Sequence, residues 1–270
     1  MKRLSTCIAG FALAAAALPS FAITFGQPDG NAHPFVGTIL FERPDGYYSC
    51  TGTMLSPTIM LTAGHCTEEG GVPNIRTWVK FAPDIAINSG CSTRKCLDRF
   101  LDDAKNGWIS GTPTAHPQYD DFAGWPSVST YDAGIVTLSK PVSMATYGAL
   151  PSLHFLETID PKTNSFTAVG YGLQGYIQPF YSDAWTRYAG TVKLVELNST
   201  WTGANTTAKY TNNPGTGGGT CYGDSGGPIF YANTNVVASI VSWGQTPCIG
   251  VDFNFRTDTE TAQDFIDSFF

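Results

Sequence analysis

Gly223-Asp224-Ser225-Gly226-Gly227-Pro228 is the stretch on which this sequence turns. Glycines on both sides of Ser225 let the backbone turn sharply and come close to a substrate carbonyl. In such a turn the N–H groups of Gly223 and Ser225 can point at one oxygen. A serine hydroxyl is a weak nucleophile at neutral pH. It needs a base within reach, a third group to orient that base, and donors for the oxyanion that develops. A run of six matched residues is far more specific than a lone Gly-x-Ser-x-Gly, and an ordinary glycine-rich turn is the weaker reading.

Two further strings supply the missing parts. Leu61-Thr62-Ala63-Gly64-His65-Cys66 places a histidine on a small-residue turn at a strand end, beside a cysteine. Alone, such a histidine would be structural, but His33, His116 and His154 have no comparable setting. In Tyr131-Asp132-Ala133-Gly134-Ile135-Val136-Thr137-Leu138 a carboxylate immediately precedes an apolar strand. A buried Asp must be paired or hydrogen-bonded, and an imidazole N–H satisfies it. Asp120 and Asp121 compete poorly, because neither leads directly into such a strand. Gly223-x-Ser225-x-Gly227 also fits the elbow of an α/β-hydrolase. That fold places its histidine after the serine, and no histidine follows Ser225.

Around these strings the text is β-rich. Short runs of strand type cover Phe35 to Phe41, Tyr48 to Leu55, Thr58 to Thr62, Arg76 to Phe81, Ala133 to Leu138, Ser165 to Tyr171, Thr191 to Leu197 and Val236 to Ser242. Most are bounded by turn residues. Charged residues are only 14% of the 270, against 29 Gly and 17 Pro, which suits a barrel or sandwich rather than long helices. One helix is expected, at the C-terminus. Thr257-Asp258-Thr259-Glu260 fits a capping box, with Thr257 as N-cap, and Ala262, Phe265, Ile266 and Phe269 recur on one face. Between Cys91 and Tyr131 the text, which includes Trp125, reads as an irregular surface segment. Its carboxylates show no calcium-loop spacing. Pro141 to Pro151 reads as the junction of two halves.

Residues 1–22 read as an export signal. Lys2 and Arg3 precede an apolar run from Ile8 to Leu18, and Ser20-Phe21-Ala22 offers a small-x-small cleavage site. The run is too short to span a bilayer. A secreted protein, extracellular or periplasmic, is therefore expected. Removing the signal takes two of the 15 basic residues and none of the 22 acidic ones, so the formal charge moves from −7 to −9. Such acidity argues against nucleic acid or an anionic membrane as partner. With Cys7 gone, six cysteines remain: Cys50, Cys66, Cys91, Cys96, Cys221 and Cys248. In an exported protein these read as three disulfides, with fifteen connectivities open. Asn198-Ser199-Thr200 and Asn205-Thr206-Thr207 are sequons.

The three strings resemble the histidine, aspartate and serine motifs of the trypsin/chymotrypsin-like serine protease family, in that family's chain order. Ser242-Trp243-Gly244 resembles the family's substrate-pairing Ser-Trp-Gly segment, and Gly170-Tyr171-Gly172 its Gly-Trp-Gly segment with Tyr in place of Trp. The likeness spans nearly all of Ile23 to Phe270. It implies an all-β fold of two packed antiparallel β-barrels with a C-terminal α-helix. The first barrel would cover 23–145 with His65 and Asp132, the second 146–270 with Ser225. It implies a serine endopeptidase acting through an acyl-enzyme, with polypeptide substrates, no cofactor or metal, and a monomeric state. The pairings Cys50–Cys66 and Cys221–Cys248 follow from the resemblance, which leaves Cys91 and Cys96 for each other. Gly219 and Thr220 would form the floor of the primary pocket, and Ser242, Trp243, Gly244 and Gly250 its walls. With no carboxylate read at that floor, uncharged side chains of medium or large size are expected in the pocket. Ile23-Thr24-Phe25-Gly26 resembles the family's Ile-Val-Gly-Gly start, which implies an ion pair between the Ile23 α-amino group and Asp224. The segment between His65 and Asp132 looks longer than usual in the family, and the loop from Gly244 to Gly250 short. The rival of a different class is a catalytically inactive binding homologue of the same fold. Such homologues lose a triad residue, and here all three positions are filled.

Overall fold

β-Branched and aromatic residues between turn residues form two antiparallel sheets in the computed structural model, which describes residues 23–85, 90–124, 129–177, 180–182, 185–197 and 205–270. The signal segment, Trp125 and the sequon at Asn198 lie outside the described residues.

The N-terminal half is a closed barrel. Its strands are β1 (Val36–Arg43), β2 (Gly46–Met54), β3 (Ile59–Thr62), β4 (Arg76–Lys80), β5 (Ile109–Ala115) and β6 (Gly134–Leu138). They close in the order β1-β2-β3-β6-β5-β4. Closure removes sheet edges, and Ile39, Met60, Val79, Ile135 and Val136 are fully buried. The β3–β6 register brings the catalytic candidates together. Thr62 faces Gly134 in an antiparallel pair, so the turn leaving β3 at His65 and the turn entering β6 at Asp132 emerge side by side.

The C-terminal half is an open, curled sheet. It holds β7 (Phe166–Gly170), β8 (Tyr188–Val192), β9 (Leu194–Glu196), β10 (Thr207–Asn212), β11 (Pro228–Tyr231), β12 (Val237–Gly244) and β13 (Gly250–Arg256). The order is β8-β7-β11-β12-β13-β10-β9, with Gln27–Pro28 pairing along the outer side of β8. The second barrel expected from the resemblance is thus a half-barrel. The β11–β12 pairing continues into the serine turn, where Gly226 N–H donates to Val241 O at 2.7 Å and Val241 N–H to Gly227 O at 2.9 Å. Thr51 N–H of β2 donates to Ser225 O at 2.8 Å. Ser225 therefore sits where the two sheets meet.

The terminal helix is α2 (Glu260–Asp267), its cap two residues later than expected. Thr259 caps it by accepting from Ala262 N–H. Thr257 does not cap it, because its hydroxyl donates instead to Val237 O. Ala262, Phe265 and Ile266 bury their side chains in a core cluster to which both halves contribute, and Phe265 packs on the His116 ring at 5.0 Å. A second helix, α1 (Arg94–Asp102), forms in the segment read as irregular. Thr93 caps it and the Cys91–Cys96 disulfide ties its first turn. Leu97, Phe100 and Leu101 hold it against the barrel. Tyr47 donates to Asp98 at 2.6 Å and Trp78 Nε1 to Asp102 at 2.9 Å.

Candidate active site

His65 lies in a short 3₁₀ turn, Gly64–Cys66, at the end of β3. The Cys50–Cys66 disulfide ties that turn to β2. Arg43 Nη2 adds a clamp, donating to the carbonyls of His65 at 2.7 Å and Glu68 at 2.9 Å. The ring Nδ1 lies 2.9 Å from Asp132 Oδ2 and 3.1 Å from Oδ1. The backbone N–H of His65 also donates to Asp132 Oδ1, at 2.9 Å. A third donor, the Ser242 hydroxyl, reaches Asp132 Oδ2. Burial would push the fully buried Asp132 carboxyl up, but the His65 charge and these hydrogen bonds hold it below the usual carboxylate range. With Nδ1 committed to Asp132, Nε2 is the nitrogen left to exchange a proton with a substrate or nucleophile.

His65, Gly223 and Ser225 border one cavity of about 590 Å³. Thr220, Ser242, Trp243 and Gly244 line it from the C-terminal half, and Phe41, Tyr47 and Tyr48 from the barrel. Gly223 has φ +97°, which a side chain would oppose, and Thr51 Oγ1 holds its carbonyl at 2.9 Å. Neither the Gly223 nor the Ser225 N–H has an acceptor among the described residues. Both are thus available to an oxyanion. The sulfurs of Cys50 and Cys66 lie close enough to His65 for a shared metal ion, but both are consumed in the disulfide.

Of the six residues expected in the primary pocket, Thr220, Ser242, Trp243 and Gly244 line the cavity, and Gly219 and Gly250 do not. Gly219 sits deeper, bridged to Thr24. Gly250 begins β13 with φ +111°. Two neighbours, Arg43 and Asp252, escaped the sequence reading, as did the bond from Ser242, read there only as a pocket wall, to Asp132. Ser242 braces Asp132, Arg43 holds the His65 turn, and Asp252 lies behind the pocket. The Asp252 carboxylate accepts from Thr220 N–H and Thr220 Oγ1, both at 2.8 Å. Burial pushes it up to about 6, against the hydrogen bonds that hold it down. Asp252 does not itself line the cavity but lies behind Thr220, which does. The signal for Asp252 was an acid between apolar neighbours in Val251-Asp252-Phe253.

Asp224 is fully buried. Its oxygens accept from Gly172 N–H at 2.8 Å and Cys221 N–H at 2.9 Å, and no ion pair reaches it among the described residues. Burial pushes its carboxyl up to about 7. Ile23 is fully buried in the core of the C-terminal half.

All three disulfides, Cys50–Cys66, Cys91–Cys96 and Cys221–Cys248, are formed. Comparison with known proteins agrees with the fold. The Trypsin family model matches residues 23–266, and the chain belongs to that family. Trypsin of Saccharopolyspora erythraea is 29% identical over 235 residues, 82% of this chain and 86% of that protein. Kallikrein 1-related peptidase b21 of Mus musculus is 29% identical over 216 residues, 74% of this chain and 72% of that one. Among solved structures, HL collagenase superposes with a TM-score of 0.66 at 15% identity, covering 91% of this chain and 97% of its own. Human heparin binding protein does so with a TM-score of 0.61 at 18% identity, covering 91% and 96%. Those two show the fold alone. The family relationship supports hydrolase activity of the serine protease kind. No helix among the described residues is long and apolar enough to cross a membrane.

Proposed function

We propose that this chain is a secreted serine endopeptidase, with Ser225 as nucleophile, His65 as general base and acid, and Asp132 as orienting carboxylate. The observation that carries the proposal is the His65 ring, bonded through Nδ1 to a buried, triply hydrogen-bonded Asp132 on the wall of the cavity that Ser225 also borders. Ser225 Oγ attacks a peptide carbonyl carbon while its proton passes to His65 Nε2. The oxyanion takes the N–H groups of Gly223 and Ser225. His65 then gives the proton to the departing amine, the C–N bond breaks and an ester to Ser225 remains. Water, activated by the same histidine, hydrolyses that ester. Asp132 keeps Nδ1 protonated throughout and stabilises the imidazolium.

The remaining assignments belong to this reading. The enzyme acts on polypeptides as a monomer, with one half spanning 23–145 and the other 146–270. Cleavage after Ala22 exports it and frees the Ile23 α-amino group. That cation then pairs with Asp224, the buried carboxylate that no cation pairs among the described residues, and fixes the turn that carries Gly223. N-terminal sequencing of the secreted protein should read Ile-Thr-Phe-Gly. A fluorophosphonate should label Ser225, and Ser225→Ala should cut turnover on the order of 10⁶-fold. Near-normal peptidase activity in that variant would refute the assignment. An unlabelled, folded wild type would favour the inactive binding homologue.

A further inference from the structure

Thr24 is a buried polar residue that neither the triad nor the Asp224 latch uses. Its hydroxyl hydrogen is shared between Asn212 Oδ1 at 3.0 Å and Gly219 O at 3.2 Å. Asn212 is fully buried as well. Its Nδ2 donates to Thr220 O and to Asp252 Oδ1, both at 2.8 Å. Asp252 completes the path by accepting from the N–H and the hydroxyl of Thr220. Thr220 lines the cavity, and Gly244 lines the facing wall. A Cβ built on Gly244 would lie 2.5 Å from Asp252 Oδ1, so the same carboxylate backs that wall too.

The direction of the hydrogen bonds fixes the logic. An Asn amide offers two donors on one side and an acceptor on the other. Asn212 faces two acceptors, the Thr220 carbonyl and the Asp252 carboxylate, and must turn its NH₂ to both. Only then does its oxygen face Thr24, and only a donor there completes the arrangement. A reversed amide would set an oxygen against a carboxylate. The Thr24 hydroxyl therefore satisfies and anchors the Asn212 amide oxygen, Asn212 holds the Asp252 carboxylate, and Asp252 holds Thr220. Buried polar networks of this kind hold one arrangement only when every member is satisfied.

We propose that Thr24 and Asn212 are positioning residues for the primary pocket, acting through Asp252 on Thr220 and the Gly244 wall. The second residue of the mature chain would then set how tightly the pocket grips a side chain. This is a separate link from the Ile23–Asp224 pair, which acts on the oxyanion turn. The inference rests on the peptidase reading for its kinetic readout.

The test uses the secreted enzyme and its Thr24→Val, Thr24→Ser and Asn212→Leu variants. Thr24→Val keeps the side-chain shape and removes the donor. It should raise KM for peptide nitroanilides about tenfold, the worth of one buried hydrogen bond. Both kcat and the fraction labelled by fluorophosphonate should stay near wild type. Thr24→Ser should restore the wild-type KM, and Asn212→Leu should reproduce the Thr24→Val phenotype. An unchanged KM in Thr24→Val and Asn212→Leu would overturn the proposal. So would equal impairment of the Ser and Val variants, which would mean packing, or loss of kcat and labelling at constant KM. If the wild type itself takes no label, the peptidase reading fails separately. The link is then read from tryptophan fluorescence titrated with benzylamine, and equal affinity in wild type and Thr24→Val would overturn it.

Discussion

The Asp224 carboxyl should make the uncleaved chain lose stability as pH rises, and export cleavage should remove that loss. In the full-length chain Asp224 is fully buried with two backbone N–H donors and no cation among the described residues, and its carboxyl is pushed from 3.8 up to about 7. Gly172 leaves no room for relief, since a Cβ there would lie 2.6 Å from Asp224 Cγ. A carboxyl with a raised folded pKa keeps its proton in the native state after the unfolded chain has released it. Its contribution is full below 3.8 and is lost as pH climbs to about 7. At 1.36 kcal/mol per pH unit, that interval corresponds to about 4 kcal/mol. After cleavage the α-amino group at Ile23 neutralises the carboxylate, and the slope should vanish. The comparison needs two forms carrying Ser225→Ala, one starting at Ile23 and one with Gly-Ser placed before it. Urea unfolding at pH 4, 5, 6 and 7 gives the stabilities. Asp252, raised to about 6, tilts both curves, and its charge adds to the upward push on Asp224. The extended form should fall behind the mature one by about 4 kcal/mol between pH 4 and 7, and Asp224→Asn should flatten it. Parallel curves for the two forms would refute the reasoning.

The other expectations concern catalysis. Ser242→Ala removes one of the three donors to a fully buried carboxylate. It should lower kcat about tenfold and leave KM near wild type, and a KM-dominated effect would show that Ser242 serves the pocket instead. The ratio of kcat/KM for lysine over norleucine before the scissile bond should rise as pH passes through about 6, where Asp252 loses its proton. The ratio cancels the common titration of His65, and Asp252→Asn should make it independent of pH.

How much was legible depended on whether a feature is local. The serine turn is local. Its glycines are demanded by one backbone shape, so Ser225 could be singled out as the candidate nucleophile from six adjacent residues. His65 and Asp132 were legible for a related reason. Each lies within three residues of a strand end, and a single antiparallel register, Thr62 against Gly134, joins them. The strands Ile109–Ala115, Thr207–Asn212, Pro228–Tyr231 and Gly250–Arg256 were not read. Polar residues punctuate several of them because their neighbours across the sheet, not their own periodicity, keep them extended. Helix α1 was hidden by its charges, although Leu97, Phe100 and Leu101 carry helical spacing.

Asp252 shows the limit most sharply. The sequence reading places the pocket floor at Gly219 and Thr220 and its walls at Ser242 to Gly244 and Gly250, none of which carries a charge. The carboxylate instead arrives from a strand position 32 residues beyond Thr220, through its bonds to that residue. A charge so placed acts over distance in a medium of low dielectric, where its effect does not require it to touch the cavity. The sequence neighbourhood of Ser225, His65 and Asp132 therefore carries the family motifs, whereas the pocket depends on what the sheet register stacks behind them. Gly244 opposite Asp252 is that register in this chain. Any substitution that shifts it by one residue would turn the carboxylate to the other face of the sheet and change selectivity while leaving Ser225, His65 and Asp132 untouched.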